Sequence, residues 1–202
     1  DLIAVTWLSD FVREMRHRYP MLTLNLRIGL AMSLIESLRA GELDLVLAPG
    51  ELWLSEFETV PLGASEFLWM VHKDWPVPNE ELTPKDLQNW PIITLSQDSY
   101  HHRIINQWFR ENGASGRNLI ECNSIGVIVS LTLSGLGVGL VPKACVEDKL
   151  AQGDLRIIRC SPPMELVKLY ALMRSDRSHP VARRIARIAQ EISPFAAKAS
   201  EH

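Results

Sequence analysis

The sequence predicts an α/β fold built as two similar lobes, and three observations carry that expectation. Residues 22–49, LTLNLRIGLAMSLIESLRAGELDLVLAP, read as strand, helix, strand. Residues 119–142, LIECNSIGVIVSLTLSGLGVGLVP, repeat the plan about ninety positions later. In both, a helix with a cap ends at a glycine, an apolar strand follows and a proline closes it. Such units put helix N-termini at the carboxyl ends of strands, where open α/β sheets bind ligands.

Taken in order, residues 2–19 form an amphipathic helix. Leu8, Phe11, Val12, Met15 and Tyr19 share one face, Asp10, Arg13, Glu14, Arg16 and Arg18 the other, and Pro20 stops it. Its abrupt start suggests that a strand feeding it lies outside the chain. Leu22, Leu24, Leu26 and Ile28 alternate with Thr23, Asn25 and Arg27, which predicts a strand broken by Gly29. The helix after it begins at Ser33, a capping residue, carries Leu34, Ile35 and Leu38 inward, and ends at Gly41, where a left-handed residue is wanted. Leu43, Leu45, Val46, Leu47 and Ala48 then form a nearly continuous apolar run, as in a parallel strand covered on both faces.

Residues 52–62 read as irregular and 67–72 (FLWMVH) as a buried strand. Thr83 before Pro84 predicts a capped one-turn helix. A strand at 91–95 (PIITL) leads through the polar loop Ser96, Gln97, Asp98, Ser99 and Tyr100 into a helix with Ile104, Ile105, Trp108 and Phe109 inside, closed by Gly113. In the second repeat, 119–122 is a strand, Asn123 and Ser124 can cap the helix that ends at Gly135, and 138–141 is the returning strand. Strands are expected at 155–158 and 166–173, and Pro180 starts a last amphipathic helix over the first lobe. The runs Trp75-Pro76-Val77-Pro78 and Ser161-Pro162-Pro163 mark crossings between lobes. The lobes are accordingly expected at 1–71 plus 161–202 and at 72–160.

Composition narrows the function classes. With 47% hydrophobic and 22% charged residues in 202, the chain can bury a core, and no apolar run approaches the roughly 18 residues of a membrane span. No signal peptide opens it, so a cytoplasmic site with no membrane partner is expected. A net charge of −3 argues against the chain gripping a phosphate backbone by itself. Cys122, Cys145 and Cys160 lack any metal or redox spacing and are expected to be buried thiols.

Catalytic and cofactor patterns are missing. Gly135, Gly137 and Gly139 follow a helix where a dinucleotide fingerprint would open one, so they read as turn and packing glycines. His101 and His102 point about 100° apart on a helix, cannot share a metal, and are expected on the helix surface or a pocket rim. No nucleophile elbow, metalloprotease motif or phosphate loop is present, so neither enzyme activity, a metal nor a cofactor is expected.

Phe11 with Arg18-Tyr19-Pro20, Leu38 with Gly41-Glu42-Leu43-Asp44-Leu45, Leu82 with Asp86-Leu87, and Gly135-Leu136-Gly137-Val138 with Pro142 occur in this order along nearly the whole chain. In them the sequence resembles the effector-binding domain of LysR-type transcriptional regulators. That resemblance implies a two-lobed fold like the type II periplasmic binding proteins, with Rossmann-like lobes joined by two crossover strands and a small-molecule inducer in the cleft. It also implies promoter DNA read only through an N-terminal helix-turn-helix domain that is absent here, and assembly as a homodimer or homotetramer. Two departures from the family stand out. The N-terminal winged helix-turn-helix and its linker helix are not here. The first strand of the first lobe is lacking, together with the serine or threonine often placed at the mouth of the first helix, where Leu2 stands.

The residues expected to contact the effector precede helices or close strands on the cleft side. They are Leu30, Ala31, Met32 and Ser33 in the first lobe, and Gln97, Ser99, Tyr100, Asn123 and Ser124 in the second. Helix starts leave N–H groups unpaired and carry partial positive charge, so an anion, most simply a carboxylate, is the expected ligand class. Self-association is expected through the first helix, whose Trp7, Phe11, Met15 and Tyr19 exceed what one lobe need cover, and through the edge of the first lobe's sheet, as the resemblance implies. The competing reading is a solute-binding protein of a transport system, which shares the fold but would carry an export signal.

Overall fold

The computed structural model describes residues 1–50, 56–78, 80–176 and 180–196. The chain divides into two compact units, Asp1–Ser65 with Val167–His202, and Glu66–Leu166. In chain order the elements are α1 (Leu2–Thr6), α2 (Leu8–Arg18), α3 (Ala31–Arg39), β1 (Val46–Pro49), β2 (Phe57–Ser65), β3 (Phe67–His72), α4 (Pro84–Leu87), β4 (Pro91–Leu95), α5 (Tyr100–Glu111), β5 (Asn118–Cys122), α6 (Ile125–Leu133), β6 (Val138–Pro142), α7 (Glu147–Gln152), β7 (Leu155–Ile157), β8 (Val167–Arg174) and α8 (Pro180–Ile192).

The first unit holds a three-stranded sheet in the order β1-β8-β2. β8 runs antiparallel to both neighbours, with Val46 opposite Leu172 on one side and Val60 opposite Ala171 on the other. Ile35 and Leu38 of α3 pack on Val46, Ala48, Phe57 and Leu172 to form a buried apolar cluster. α8 covers β2. Gln190 donates to the Pro61 carbonyl at 2.9 Å and the Ser193 hydroxyl to the Leu62 carbonyl at 2.6 Å. Where β2 shifts register between Pro61 and Gly63, the Ala64 N–H donates to the Phe195 carbonyl at 3.2 Å.

Several expectations are corrected in this unit. Residues 22–28 alternate as a strand should but form none. A strand needs a neighbour to supply its ladder, and β1 pairs with β8 instead. Leu26 and Ile28 are consequently 50% and 61% exposed. β1 is antiparallel to its partner, not parallel, because that partner is the returning strand β8. α3 begins at Ala31, two residues before Ser33, so Leu30 occupies the N-cap with extended φ/ψ and no side-chain cap. The first helix breaks at Trp7, where the Thr6 hydroxyl bonds back to the Leu2 carbonyl at 2.7 Å, a contact that bends helices. Residues 57–62, expected to be irregular, are strand, while 52–55 lie outside the described residues. Gly41 does take the expected left-handed conformation, at φ 77°.

The second unit is a five-stranded sheet ordered β5-β4-β6-β3-β7. β4 lies parallel to β5 and β6, and β3 antiparallel to β6 and β7. Phe67–His72 therefore belongs here, and the chain crosses between units at Ser65/Glu66 and Leu166/Val167, not at 71/72 and 160/161. Trp69, Trp108 and Phe109 meet in the core in tilted and edge-to-face pairs with ring centroids 5.2–6.1 Å apart. The Thr83–Asp86 capping box starts α4 as expected, with the Thr83 N–H donating to the Asp86 carboxylate at 2.7 Å. Gly137 and Gly139 act as packing glycines. A Cβ on Gly137 would lie 2.6 Å from the Pro91 carbonyl, and one on Gly139 would strike Thr132.

Candidate functional site

Two helices of the second unit start side by side. Leu95 and Cys122 pair at the carboxyl ends of the parallel strands β4 and β5, and the Ser96 N–H extends that ladder to the Cys122 carbonyl at 2.9 Å. Each strand is followed by a short polar turn and a helix, so the starts of α5 and α6 emerge from neighbouring strand ends.

Serines cap both. Ser99 is buried, its hydroxyl oxygen accepts from the His102 N–H at 3.0 Å, and its carbonyl accepts from Arg103. The Ser124 hydroxyl accepts from the Gly126 N–H at 3.2 Å, and its carbonyl from Val127 and Ile128, each at 3.1 Å. Caps of this kind satisfy one or two of the N–H groups at each helix start and leave the rest of the partial positive charge in place. Asn123 is exposed beside Ser124. The Arg103 guanidinium stacks over the Tyr100 ring at 4.9 Å, adding a cation to the α5 end. Gln97 donates to Glu121 at 3.4 Å, and Glu121 also lies 3.9 Å from His102. That carboxylate and the exposed Asp98 of the same loop are local charges opposing an anion.

The structure thus brings Gln97, Ser99, Tyr100, Asn123 and Ser124 to one end of one sheet. Leu30, Ala31, Met32 and Ser33 form the start of α3 in the first unit. The ladder there opens with the Leu34 N–H donating to the Leu30 carbonyl at 3.1 Å, so the amides of Ala31, Met32 and Ser33 precede it. Met32 and Ser33 are exposed. Leu2, at the position of the expected family hydroxyl, is buried in α1.

Sequence reasoning misplaced the two histidines. Both are buried, not on a surface or rim. The His101 ring reaches the Leu140 carbonyl with Nε2 at 2.7 Å, and Nδ1 lies 3.2 Å from the Thr94 hydroxyl and 3.4 Å from the Leu95 N–H. Burial pushes its pKa down to about 4; the Leu140 carbonyl draws it back up and His102 lowers it further. His102 meets the Asn106 amide at 3.2 Å. Helical spacing would have shown His101 on the same face as Ile105 and Trp108, four and seven residues on. The cysteines are half-buried, and burial raises the thiols of Cys145 and Cys160 to about 12, which leaves them unreactive. Among the described residues no cluster of three metal-ligating side chains occurs, and no helix is long and apolar enough to cross a membrane.

The sequence matches the model of the LysR substrate binding domain family over residues 1–193. It is 27% identical over 159 residues to the HTH-type transcriptional regulator CzcR of Bacillus subtilis (strain 168), covering 79% of this chain and 52% of that protein. It is 27% identical over 177 residues to a probable RuBisCO transcriptional regulator of Cyanophora paradoxa, covering 84% and 55%. The chain spans about half the length of the curated relatives it matches. Among solved structures, the regulatory domain of HypT from Salmonella typhimurium in its apo form superposes with a TM-score of 0.78 at 18% identity, covering 96% of this chain and 91% of that one. The CcmR regulatory domain of Synechocystis PCC6803 in complex with 2-PG gives 0.82 at 13% identity, covering 93% and 91%. At these identities the superpositions establish a shared fold.

Proposed function

Because the chain belongs to the LysR substrate binding domain family over residues 1–193, we propose that it senses an anionic small molecule through the helix starts at the carboxyl end of its second sheet. The domain is an inducer-sensing regulatory domain of a LysR-type regulator. Membership of this family and relatives named as transcriptional regulators disfavour the transport reading.

The observation that carries the ligand class is the adjacency of α5 and α6 at the paired ends Leu95 and Cys122. Two neighbouring N-termini, each capped by a serine whose hydroxyl can turn to a ligand, favour a carboxylate or a phosphorylated carboxylate over a neutral or cationic molecule. Arg103 strengthens that preference, and the carboxylates of Glu121 and Asp98 weaken it. The CcmR domain was solved with 2-PG, which is consistent with a ligand of this kind for a domain of this fold. Leu30, Ala31, Met32 and Ser33 are assigned to effector contact as well, on the strength of the α3 start alone. Promoter binding is assigned to a helix-turn-helix domain of the longer regulator, in line with relatives named HTH-type regulators.

Self-association is proposed through the expected sheet edge of the first unit, without the first helix. Trp7, Phe11 and Met15 are buried within the first unit and offer no excess apolar face. The most exposed apolar residues of this unit are Met21, Ile28 and Leu26, with Val181, Val5 and Met32 less so, and β1 is an edge strand of the same unit's sheet among the described residues. Thermal-shift screening of organic carboxylates, with and without a phosphate, tests the ligand class. Stabilisation by anions but not by matched amides supports the reading, and stabilisation by neutral or cationic compounds alone refutes it.

A further inference from the structure

Strands β4 and β6 are parallel neighbours whose pairing runs through Ile92 opposite Val138 and Ile93 opposite Gly139, then stops. The Ser96 N–H faces β5, where it bonds the Cys122 carbonyl. Successive amides of a strand face opposite sides, so the Leu95 N–H faces β6, and the next rung of the ladder would run from it toward Leu140. That rung is not made directly. The His101 ring, from the first turn of α5, stands between the two groups, with Nδ1 3.4 Å from the Leu95 nitrogen and Nε2 2.7 Å from the Leu140 oxygen. An amide can only donate and a carbonyl can only accept, so the partners dictate one form of the ring: neutral, with its proton on Nε2.

We propose that His101 is a positioning residue for the α5 half of the effector site, its imidazole replacing one rung between β4 and β6 and thereby fixing where the loop of Ser96 to Tyr100 leaves the sheet. The place matters. β5 and β6 lie on opposite sides of β4, and such reversals of strand order are where open α/β sheets leave a crevice at their carboxyl ends. Here the protein's own ring occupies the β4–β6 side of that point, and Ser99 and Ser124 stand on its β4–β5 side. The relay also ties three elements together, since the residue that bridges β4 and β6 is itself the second residue of α5, next to the capped amide of His102.

The surroundings keep the ring neutral. Phe67 of β3 lies 5.9 Å away, centroid to centroid, and Thr94, Leu95 and Leu140 supply only uncharged groups. His102 is the titratable group whose charge acts on the ring, and it opposes a second positive charge. A proton on Nδ1 would face the Leu95 N–H directly, donor against donor.

The inference rests on the proposed function only in calling this loop part of an effector site, and its test uses the free protein, so the two can fail separately. Nitrogen-15 NMR of the wild-type chain at neutral pH reads the tautomer. A single Nε2–H form is expected, and an Nδ1–H form or a rapid mixture of both overturns the proposal. Two variants separate relay from packing. His101→Gln supplies one acceptor and one donor at similar spacing, whereas His101→Leu fills space without either. Amide exchange at His102 and Arg103 should rise at least tenfold in His101→Leu relative to His101→Gln, with β3 amides unchanged. Equal exchange in the two variants means that the ring acts by volume alone and the proposal is wrong.

Discussion

Leu95 and Cys122 sit opposite one another at the ends of two parallel strands, and from that pairing the helices capped by Ser99 and Ser124 start together. The Ser99 cap is buried and the Ser124 cap is half-buried, so their removal should differ in cost. Ser99→Ala leaves the His102 amide without a partner in a buried place and should cost about 1–2 kcal/mol. Ser124→Ala, nearer solvent, should cost about 0.5–1 kcal/mol. Urea denaturation of the two variants measures the difference, and equal losses would mean that burial does not separate the caps.

Acid stability follows from His101. Its folded pKa of about 4 lies below the ordinary value of 6.5, so the unfolded chain binds the extra proton first. The neutral ring therefore contributes its full stability above about pH 6.5, and that contribution declines as the pH falls toward 4. The gap corresponds to roughly 3 kcal/mol at most. Asp86, Glu42 and Glu56, whose carboxyls are held below their usual range by Thr83, Arg27 and Arg39 respectively, also lose stability in acid. Comparing wild type with His101→Gln cancels those terms. Wild type should lose more stability than the variant between pH 7 and pH 5, and parallel curves would contradict a buried neutral histidine.

Two glycines separate strain from collision. Gly153 has φ 77° with nothing within 4 Å of an added Cβ, so Gly153→Ala should cost only the left-handed penalty of about 1 kcal/mol. Gly63 has φ 101°, and an added Cβ would overlap the Phe195 carbonyl, which the Ala64 N–H needs as its acceptor. Gly63→Ala should cost at least ~2 kcal/mol more than Gly153→Ala. Thermal melts of the pair test this, and a small cost at Gly63 would mean that the segment around Phe195 detaches from β2 without loss.

The self-association surface makes its own forecast. Ile28→Lys places a charge at a 61% exposed position and should leave the melting temperature within about 2 °C of wild type, because nothing in the core changes. Sedimentation should show a weaker association for the variant than for the parent. Identical sedimentation of the two would remove residues 21–28 from the interface.

Much of this was legible in the residues. Thr83-Pro84 and Asp86 announced a capped turn because side-chain capping is local chemistry, and Ser124 with Gly135 bounded α6 for the same reason. Residues 22–28 misled because alternation reports which faces a strand would bury, while strand formation depends on a neighbour that the pattern cannot supply. Ser33 looked like a cap, yet Leu30 already had the extended conformation that starts a helix. The bridging role of His101 was hidden because Leu95 and Leu140 lie on different strands and meet the ring with backbone groups, which leave no mark in a sequence. The joint placement of Ser99 and Ser124 needed the strand pairing before it became visible.

The central claim is that the neighbouring starts of α5 and α6 hold an anionic effector, and Ser124→Phe tests it most directly. The side chain of residue 124 is only partly covered, so the bulkier ring should intrude on the ligand's place and not on the core. Melting temperatures of wild type and variant would be measured with each carboxylate that stabilises the wild type. The expected result is an apo variant that melts within about 3 °C of wild type and gains nothing from the ligand, since a protein that no longer binds receives none of the linkage stabilisation. A variant that is stabilised as strongly as wild type, at the same ligand concentrations, would contradict this placement of the site.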